Sequence, residues 1–149
     1  MRKQAVVRRP GLLISSDPDV PLRRVMLHDA DGGVFCYLYD RADDCSCWND
    51  YFFDSFPDAE SYCAEEFGVT ESDWHIIPDP LSGCQHDWVE PVRQCPDGLE
   101  ALRDGQWVLI QRPCESGVEV LRDGEWVLTH RWSRHGQPET LRDGTWVRC

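Results

Sequence analysis

The C-terminal third of the chain repeats one short motif three times. The strings ALRDGQWV, VLRDGEWV and TLRDGTWV place Leu102, Leu121 and Leu141 at intervals of 19 and 20 residues, and three copies at one period indicate a repeat architecture. Asp-Gly between two β-prone arms predicts a tight hairpin turn, because a type I′ turn needs positive φ at both central residues. Residues 94–149 are therefore expected to form three β-hairpin repeats.

The same turns predict which side chains face each other. In each hairpin the leucine lies two positions before Asp-Gly and the tryptophan two positions after it, so the two are directly opposite on one face. A two-stranded hairpin buries too little surface to be stable alone, so the three are expected to stack and share a row of these side chains. The predicted pairs are Leu102 with Trp107, Leu121 with Trp126, and Leu141 with Trp146.

Residues 24–93 predict an α+β domain with a small antiparallel sheet and one main helix. The strings VMLHD and VFCYLYD alternate around Ala-Asp-Gly-Gly, which is typical of a β-hairpin. A third strand is expected from Trp48 to Phe53. The cap residue Ser55 begins a helix at about Pro57, and an apolar stripe extends it to Phe67. A strand from Trp74 to Ile77 completes a predicted β-β-β-α-β order.

Charge divides the chain into a basic leader and an acidic body. The whole chain has 15 Lys+Arg and 27 Asp+Glu, a net charge of −12. Residues 1–24 hold six of the basic and two of the acidic residues, so the rest carries nine and 25, a net charge of −16. Residues 1–23 are expected to be a flexible basic leader. Because Pro10 and Gly11 interrupt the apolar stretch that an export signal needs, we expect a cytoplasmic protein.

This composition argues against two classes of partner. A surface with surplus carboxylates repels the phosphates of nucleic acids. The longest uncharged apolar run near either end is Leu12–Ile14, far shorter than the about 20 residues that a spanning helix needs. We therefore expect no nucleic-acid partner and no membrane insertion, and the sequence leaves the oligomeric state open.

Eight cysteines raise the question of a metal or thiol site. Without an export signal, reduced thiols or metal ligands explain them better than a disulfide framework does. Cys45, Cys47, Cys84 and His86 offer three thiols and an imidazole, the ligand set of a closed structural zinc site. Their spacing departs from the about two to four residues that separate paired zinc cysteines. Buried reduced thiols and a redox pair are the alternatives.

No familiar catalytic motif occurs in the sequence. Gly-x-Ser-x-Gly, a phosphate loop, a dinucleotide fingerprint and His-Glu-x-x-His are all missing. Cys84 and His86 would share a face on a strand, as a nucleophile and its base do. The sequence does not identify the third group that would orient the histidine. No catalytic residue is therefore predicted.

Residues 23–93, with RRVMLHD, GVFCYLYD and DWHIIPDPLSGCQHDWVEPV, resemble an uncharacterised family of small acidic bacterial proteins. The resemblance implies a bacterial origin and supplies no activity. The Gly/Trp hairpin repeats that follow are similar to those of bacterial cell-wall-binding modules, repeat antitoxins and membrane-occupation repeats. Choline-type wall modules have several aromatic residues per copy, whereas each copy here has one tryptophan, so the resemblance does not imply a choline cage.

The leading hypothesis is a non-enzymatic, acidic protein-binding module that docks a basic protein partner, in the manner of immunity proteins and antitoxins. Acidic charge steers a cationic partner, and tryptophan is enriched in binding hot spots. One alternative is a structural-zinc or thiol-based protein centred on the cysteine and histidine set above. Another is a precursor polypeptide whose repeats and Cys149 are modified. The predicted binding surface consists of Trp88, Trp107, Trp126, Trp132 and Trp146.

Overall fold

The computed structural model describes residues 1–8, 22–142 and 144–148. The chain divides into two compact units, unit 1 at residues 1–90 and unit 2 at residues 91–149. Each unit is built on one antiparallel sheet, and the described residues contain one α-helix. None of the helical segments in these ranges is long and apolar enough to cross a membrane.

Unit 1 is a five-stranded sheet with a helix on one face. Its strand order is β4-β3-β2-β1-β5, and every neighbouring pair is antiparallel. A short 3-10 turn, Glu71–Asp73, precedes the last strand. The other elements are β1 (Arg2–Val6), β2 (Arg24–Ala30), β3 (Gly33–Tyr39), β4 (Asn49–Phe53), α1 (Phe56–Phe67) and β5 (His75–Ile77).

The prediction of a flexible leader over residues 1–23 is wrong for its first residues. They form β1, which lies between β2 and β5 and pairs Gln4 with both Met26 and His75. The β-β-β-α-β order therefore omitted the strand that joins the hairpin to β5. This strand was missed because its sequence begins with basic residues, which are rarely buried. Arg2 is nevertheless only 2% exposed. Residues 9–21 lie outside the described part of the chain.

The helix begins and ends where the local sequence predicts. Ser55 is its N-cap and accepts a hydrogen bond from the backbone N–H of Asp58, which satisfies one of the free amides of the first turn. Gly68 ends the helix with φ 67°, a left-handed conformation that glycine adopts without steric cost. The buried stripe of the helix packs against β2 and β3 and consists of Ala59, Cys63 and Phe67.

The opposite face of the unit 1 sheet carries a second, smaller core. Met26 and Tyr39 are fully buried there, beside Tyr37 and Ile77. Half-buried side chains from two loops pack on this cluster, namely Cys45, Cys47 and Val89. Both faces of the sheet are therefore covered, which agrees with the apolar character of both faces of β3.

Unit 2 is a seven-stranded antiparallel sheet in which every strand pairs with its neighbours in the chain. Three Asp-Gly hairpins supply six of the strands, and their register puts each leucine opposite its tryptophan, for example Leu102 opposite Trp107. The strands are β6 (Val92–Cys95), β7 (Gly98–Arg103), β8 (Gln106–Cys114), β9 (Gly117–Arg122), β10 (Glu125–Trp132), β11 (Pro138–Arg142) and β12 (Thr145–Arg148).

The first two hairpins each contain a bulge that the sequence did not predict. The register shifts between β7 and β8 and again between β9 and β10, which leaves Ile110 and Thr129 as the additional residues of the longer strands. Across the second bulge, Gly117 has φ 145°, and a Cβ added there would lie 1.9 Å from the carbonyl oxygen of His130. Glycine is therefore required at this position, because the backbones approach too closely for any side chain.

Candidate functional site

Each tryptophan of the repeat is covered by an arginine that comes from an earlier strand. In each case the guanidinium lies over the face of the indole ring. It also forms an ion pair with a glutamate on the strand that lies between the arginine's strand and the tryptophan's strand. The three clusters are Arg93–Glu100–Trp107, with Cζ 3.9 Å from the ring centroid and an ion pair of 3.0 Å; Arg112–Glu119–Trp126, at 4.1 Å and 2.8 Å; and Arg131–Glu139–Trp146, at 4.1 Å and 2.8 Å.

These Arg–Glu–Trp clusters connect neighbouring hairpins. Arg112 on β8 is directly opposite Glu119 on β9 and reaches over that strand to Trp126 on β10. Backbone pairing between β8 and β9 covers the four residues from Gln111 to Cys114, so side chains supply part of the cohesion between hairpins. A cation–π contact at a partly exposed site contributes about 0.5–1 kcal/mol, and an exposed ion pair about 0.2–1 kcal/mol.

The clusters change the interpretation of the predicted tryptophan surface. Trp107, Trp126 and Trp146 are half-buried, and one face of each ring is already covered by an arginine of this chain. Trp132 is 69% exposed, whereas Trp88 in unit 1 is 6% exposed and is therefore not part of an exposed surface. The arginines and glutamates were missed, although Arg93, Arg112 and Arg131 recur at the same 19-residue period.

The predicted zinc ligands are not assembled into a site. Cys45 and Cys47 are half-buried in one loop, Cys84 is buried and His86 is exposed. Within residues 1–8, 22–142 and 144–148 no three His, Cys, Asp or Glu side chains come together to hold a metal ion. Burial raises the pKa of Cys45 to about 11, and burial together with Asp87 raises the pKa of Cys47 to about 12. Both thiols are therefore protonated at neutral pH and are weak nucleophiles.

The remaining cysteines of the described chain also form no disulfide bond. Cys36 on β3 and Cys63 on α1 are in contact, with their sulfur atoms 3.7 Å apart in the core between sheet and helix. The hydrogen bond with Cys63 and burial raise the pKa of Cys36 well above its usual range. This pair packs as two small apolar groups. Cys149, which the precursor hypothesis uses, lies outside the described residues.

Arg2 attaches the loop that follows β5 to the centre of the unit 1 sheet. Its guanidinium donates to the carbonyl oxygens of Pro78 at 2.7 Å, His86 at 3.2 Å and Trp88 at 2.5 Å. Desolvation lowers its pKa, and the carbonyls compensate for part of the hydration that burial removes. His28, beside it, stacks edge-on with His86 at 4.8 Å between ring centroids.

Two aspartates of unit 1 hold loops and are therefore not available at the surface. The carboxylate of Asp44 accepts hydrogen bonds from the backbone N–H groups of Val89 at 2.9 Å and Glu90 at 2.8 Å. The carboxylate of Asp87 accepts from the backbone N–H of Cys47 at 2.8 Å. These bonds fasten the two loops to each other over the second core of unit 1.

A cavity of about 720 Å³ lies between α1 and β5, and we refer to it as the α1–β5 groove. Its lining includes Trp74, Ile76 and the carboxylates of Glu60 and Glu71. Ile76 pairs with Lys3 across the sheet, so both side chains project toward the helix side. The helix does not extend over the edge strand, and Ile76 remains 78% exposed.

The α1–β5 groove already holds one cation of the chain itself. The ammonium of Lys3 lies 4.9 Å from the ring centroid of Trp74 and 5.1 Å from that of Phe56, and it forms an ion pair with Glu60. Desolvation lowers the pKa of Lys3. The aromatic faces and the carboxylate therefore offset only part of the hydration that the Lys3 ammonium loses in this groove.

The surplus of negative charge belongs to unit 1. Residues 1–90 contain seven Lys+Arg and 18 Asp+Glu, a net charge of −11, whereas residues 91–149 contain eight and nine, a net charge of −1. The hairpin repeats are thus almost neutral. An electrostatic attraction for a cationic partner would originate in unit 1.

No protein-family model, curated protein or solved structure matches this chain. The resemblance of residues 23–93 to small acidic bacterial proteins accordingly stays a prediction.

Proposed function

We propose that this chain is a non-enzymatic, acidic protein-binding module that docks a basic protein partner through unit 1, in the manner of immunity proteins and antitoxins. The observation that carries the proposal is the way unit 1 distributes its charges. Among its described residues, Arg8 and Arg23 are the exposed basic side chains, while ten acidic side chains are exposed. These are Asp29, Asp31, Asp43, Asp50, Asp54, Asp58, Glu65, Glu66, Glu71 and Asp79.

Three of the six described basic residues of unit 1 point inward. Arg2 and Arg24 are buried, Lys3 lies in the α1–β5 groove, and the exposed Arg8 forms an ion pair with Asp73. A unit that exposes ten carboxylates and two arginines presents a mainly negative field. Such a field accelerates encounter with cationic proteins and disfavours acidic ones. This orientation of charge supports a basic protein partner rather than a nucleic acid.

The proposal is tested by affinity capture with the immobilised full chain from a lysate of its source organism. The control variant combines Asp54→Asn, Glu65→Gln and Glu66→Gln, which removes three exposed charges without changing side-chain size. Capture is compared at about 0.05 M and about 0.5 M salt, where the screening length falls from roughly 14 Å to roughly 4 Å.

We expect the wild-type chain to retain a basic protein at low salt and release it at high salt, and the variant to retain less of it. A chain that enriches no basic protein over the variant would contradict the proposal. So would retention that does not change with salt, because electrostatic attraction between exposed charges is screened.

A further inference from the structure

We propose that the α1–β5 groove is the docking site for an extended, basic segment of the partner, which adds as a strand to the free edge of β5. This inference rests on the proposed function and specifies where and how a basic protein is held. It commits to a partner segment in which an apolar side chain is flanked, two residues away on each side, by a basic side chain. Three features of unit 1 support it: the sheet edge, the exposed apolar side chain and the charge of the groove.

The first feature is the edge of the unit 1 sheet at β5. β5 is the last strand of the unit 1 sheet, and β1 pairs with one side of it. Within the described residues no strand pairs with the other side of His75–Ile77. A strand edge presents backbone N–H and C=O groups that an extended segment can pair with. Adding a strand in this way is a common mode of peptide recognition.

The second feature is the exposed side chain of Ile76. It projects toward the helix side of the sheet, as its pairing with Lys3 requires, but α1 leaves it 78% exposed. A strand added beyond β5 would lie about 4.8 Å further out and place one side chain directly beside Ile76. Because Ile76 is aliphatic and the neighbouring Trp74 lines the same groove, an apolar partner side chain fits there.

The third feature is the negative charge that the α1–β5 groove offers to a basic partner. Side chains two residues apart on a strand lie on the same face, so the positions flanking the apolar residue, two residues away, also face the groove. Glu71 is an exposed carboxylate in its lining, and Lys3 is already paired with Glu60. Lys3 shows that an ammonium group fits in this groove between aromatic rings and a carboxylate. A partner lysine or arginine is therefore favoured beside Glu71.

The experiment is an amide NMR titration of the full chain with three five-residue peptides, acetylated and amidated at their ends. The probe is Arg-Ser-Val-Ser-Arg, whose valine and arginines share one face of a strand. Glu-Ser-Val-Ser-Glu reverses the charge, and Arg-Ser-Ser-Ser-Arg removes the apolar side chain. We expect the probe to shift the amide signals of Glu71 and His75–Ile77, and both control peptides to bind at least about tenfold more weakly.

Two pairs of variants locate the site. Ile76→Asp should weaken probe binding at least about tenfold, whereas Phe52→Asp, at a 51% exposed residue of the other edge strand, should change it less than about twofold. Glu71→Gln should weaken binding, and Glu66→Gln on the outer side of α1 should weaken it less. All four positions tolerate the change structurally because their side chains are exposed.

The outcomes separate the two proposals. Absence of probe binding, shifts that map away from β5, or an Ile76→Asp variant that binds like the wild type would overturn the groove assignment, and the lysate capture then judges the basic-partner proposal independently. Self-association of the chain that Ile76→Asp abolishes would also overturn it, because the occupant of the edge would be a second copy.

Discussion

The close backbone approach at Gly117 leads to a sharp prediction about the stability of unit 2. Gly117 and Gly124 belong to the same hairpin, and both have positive φ, at 145° and 85°. A Cβ at Gly117 would lie 1.9 Å from the carbonyl oxygen of His130, whereas a Cβ at Gly124 has no heavy atom within 4 Å. Substituting alanine at each position therefore separates conformational strain from a steric collision.

The expected magnitudes follow from these two environments. Gly124→Ala incurs the left-handed conformational cost of about 1–2 kcal/mol. Gly117→Ala adds displacement of a backbone carbonyl, and overpacking of this kind costs about 1–3 kcal/mol more. A unit of about 60 residues has roughly 3–5 kcal/mol of stability in total. We therefore expect Gly117→Ala to unfold unit 2 substantially, and Gly124→Ala only to destabilise it.

The assay is urea denaturation of both variants, followed by amide NMR signals that report each unit separately. The wild-type chain gives the reference midpoint for unit 2. If Gly117→Ala destabilises unit 2 no more than Gly124→Ala does, the bulge and the close approach of β9 to His130 on β10 are refuted.

Three further predictions concern the clusters, the buried histidine and the thiols. Arg112→Ala should lower the unfolding free energy by about 1–2 kcal/mol in urea denaturation, because it removes one cation–π contact and one ion pair, while Arg134→Ala at an exposed position should change it little. Burial, reinforced by the nearby His86, lowers the pKa of His28 from 6.5. As the pH drops, His28 is therefore protonated in the unfolded chain before it is protonated in the folded one, and stability should fall below about pH 6.5. A His28→Gln variant that shows the same loss of stability between pH 8 and pH 5 would contradict this assignment. Elemental analysis should find no stoichiometric zinc, and a chelator should leave the unfolding midpoint unchanged, whereas a structural zinc site would lose its fold on metal removal.

Local features of unit 1 and unit 2 could be predicted because they depend on residues close in sequence. The start of the helix at Ser55 needs one side-chain oxygen and an amide three residues away, and its end needs only Gly68. The Asp-Gly turns fix the register of each hairpin in the same way, since the turn type determines which residues pair. These signals are complete within a few residues of the chain.

The role of the repeat tryptophans could not be predicted from the same signals. Trp126 looks like an exposed contact residue in the sequence, but Arg112 covers it from two strands away. The spacing of the arginines is visible in the sequence, yet their contact with the rings depends on the pairing between hairpins. Trp88 is buried for a similar reason, because its segment is held by Arg2 at the other end of unit 1.

The sequence by itself determined the hairpins, the helix boundaries and the sign of the charge. Turn conformation and capping depend on residues close in sequence, and net charge depends only on composition. The tertiary structure decided that β1 lies inside the sheet, between partners about 20 and 70 residues away in the chain. It also decided that Arg2, Lys3 and Arg24 turn inward, while ten carboxylates of unit 1 are exposed. Both results depend on long-range strand pairing, which selects the face on which each side chain lies and therefore which charges reach the surface.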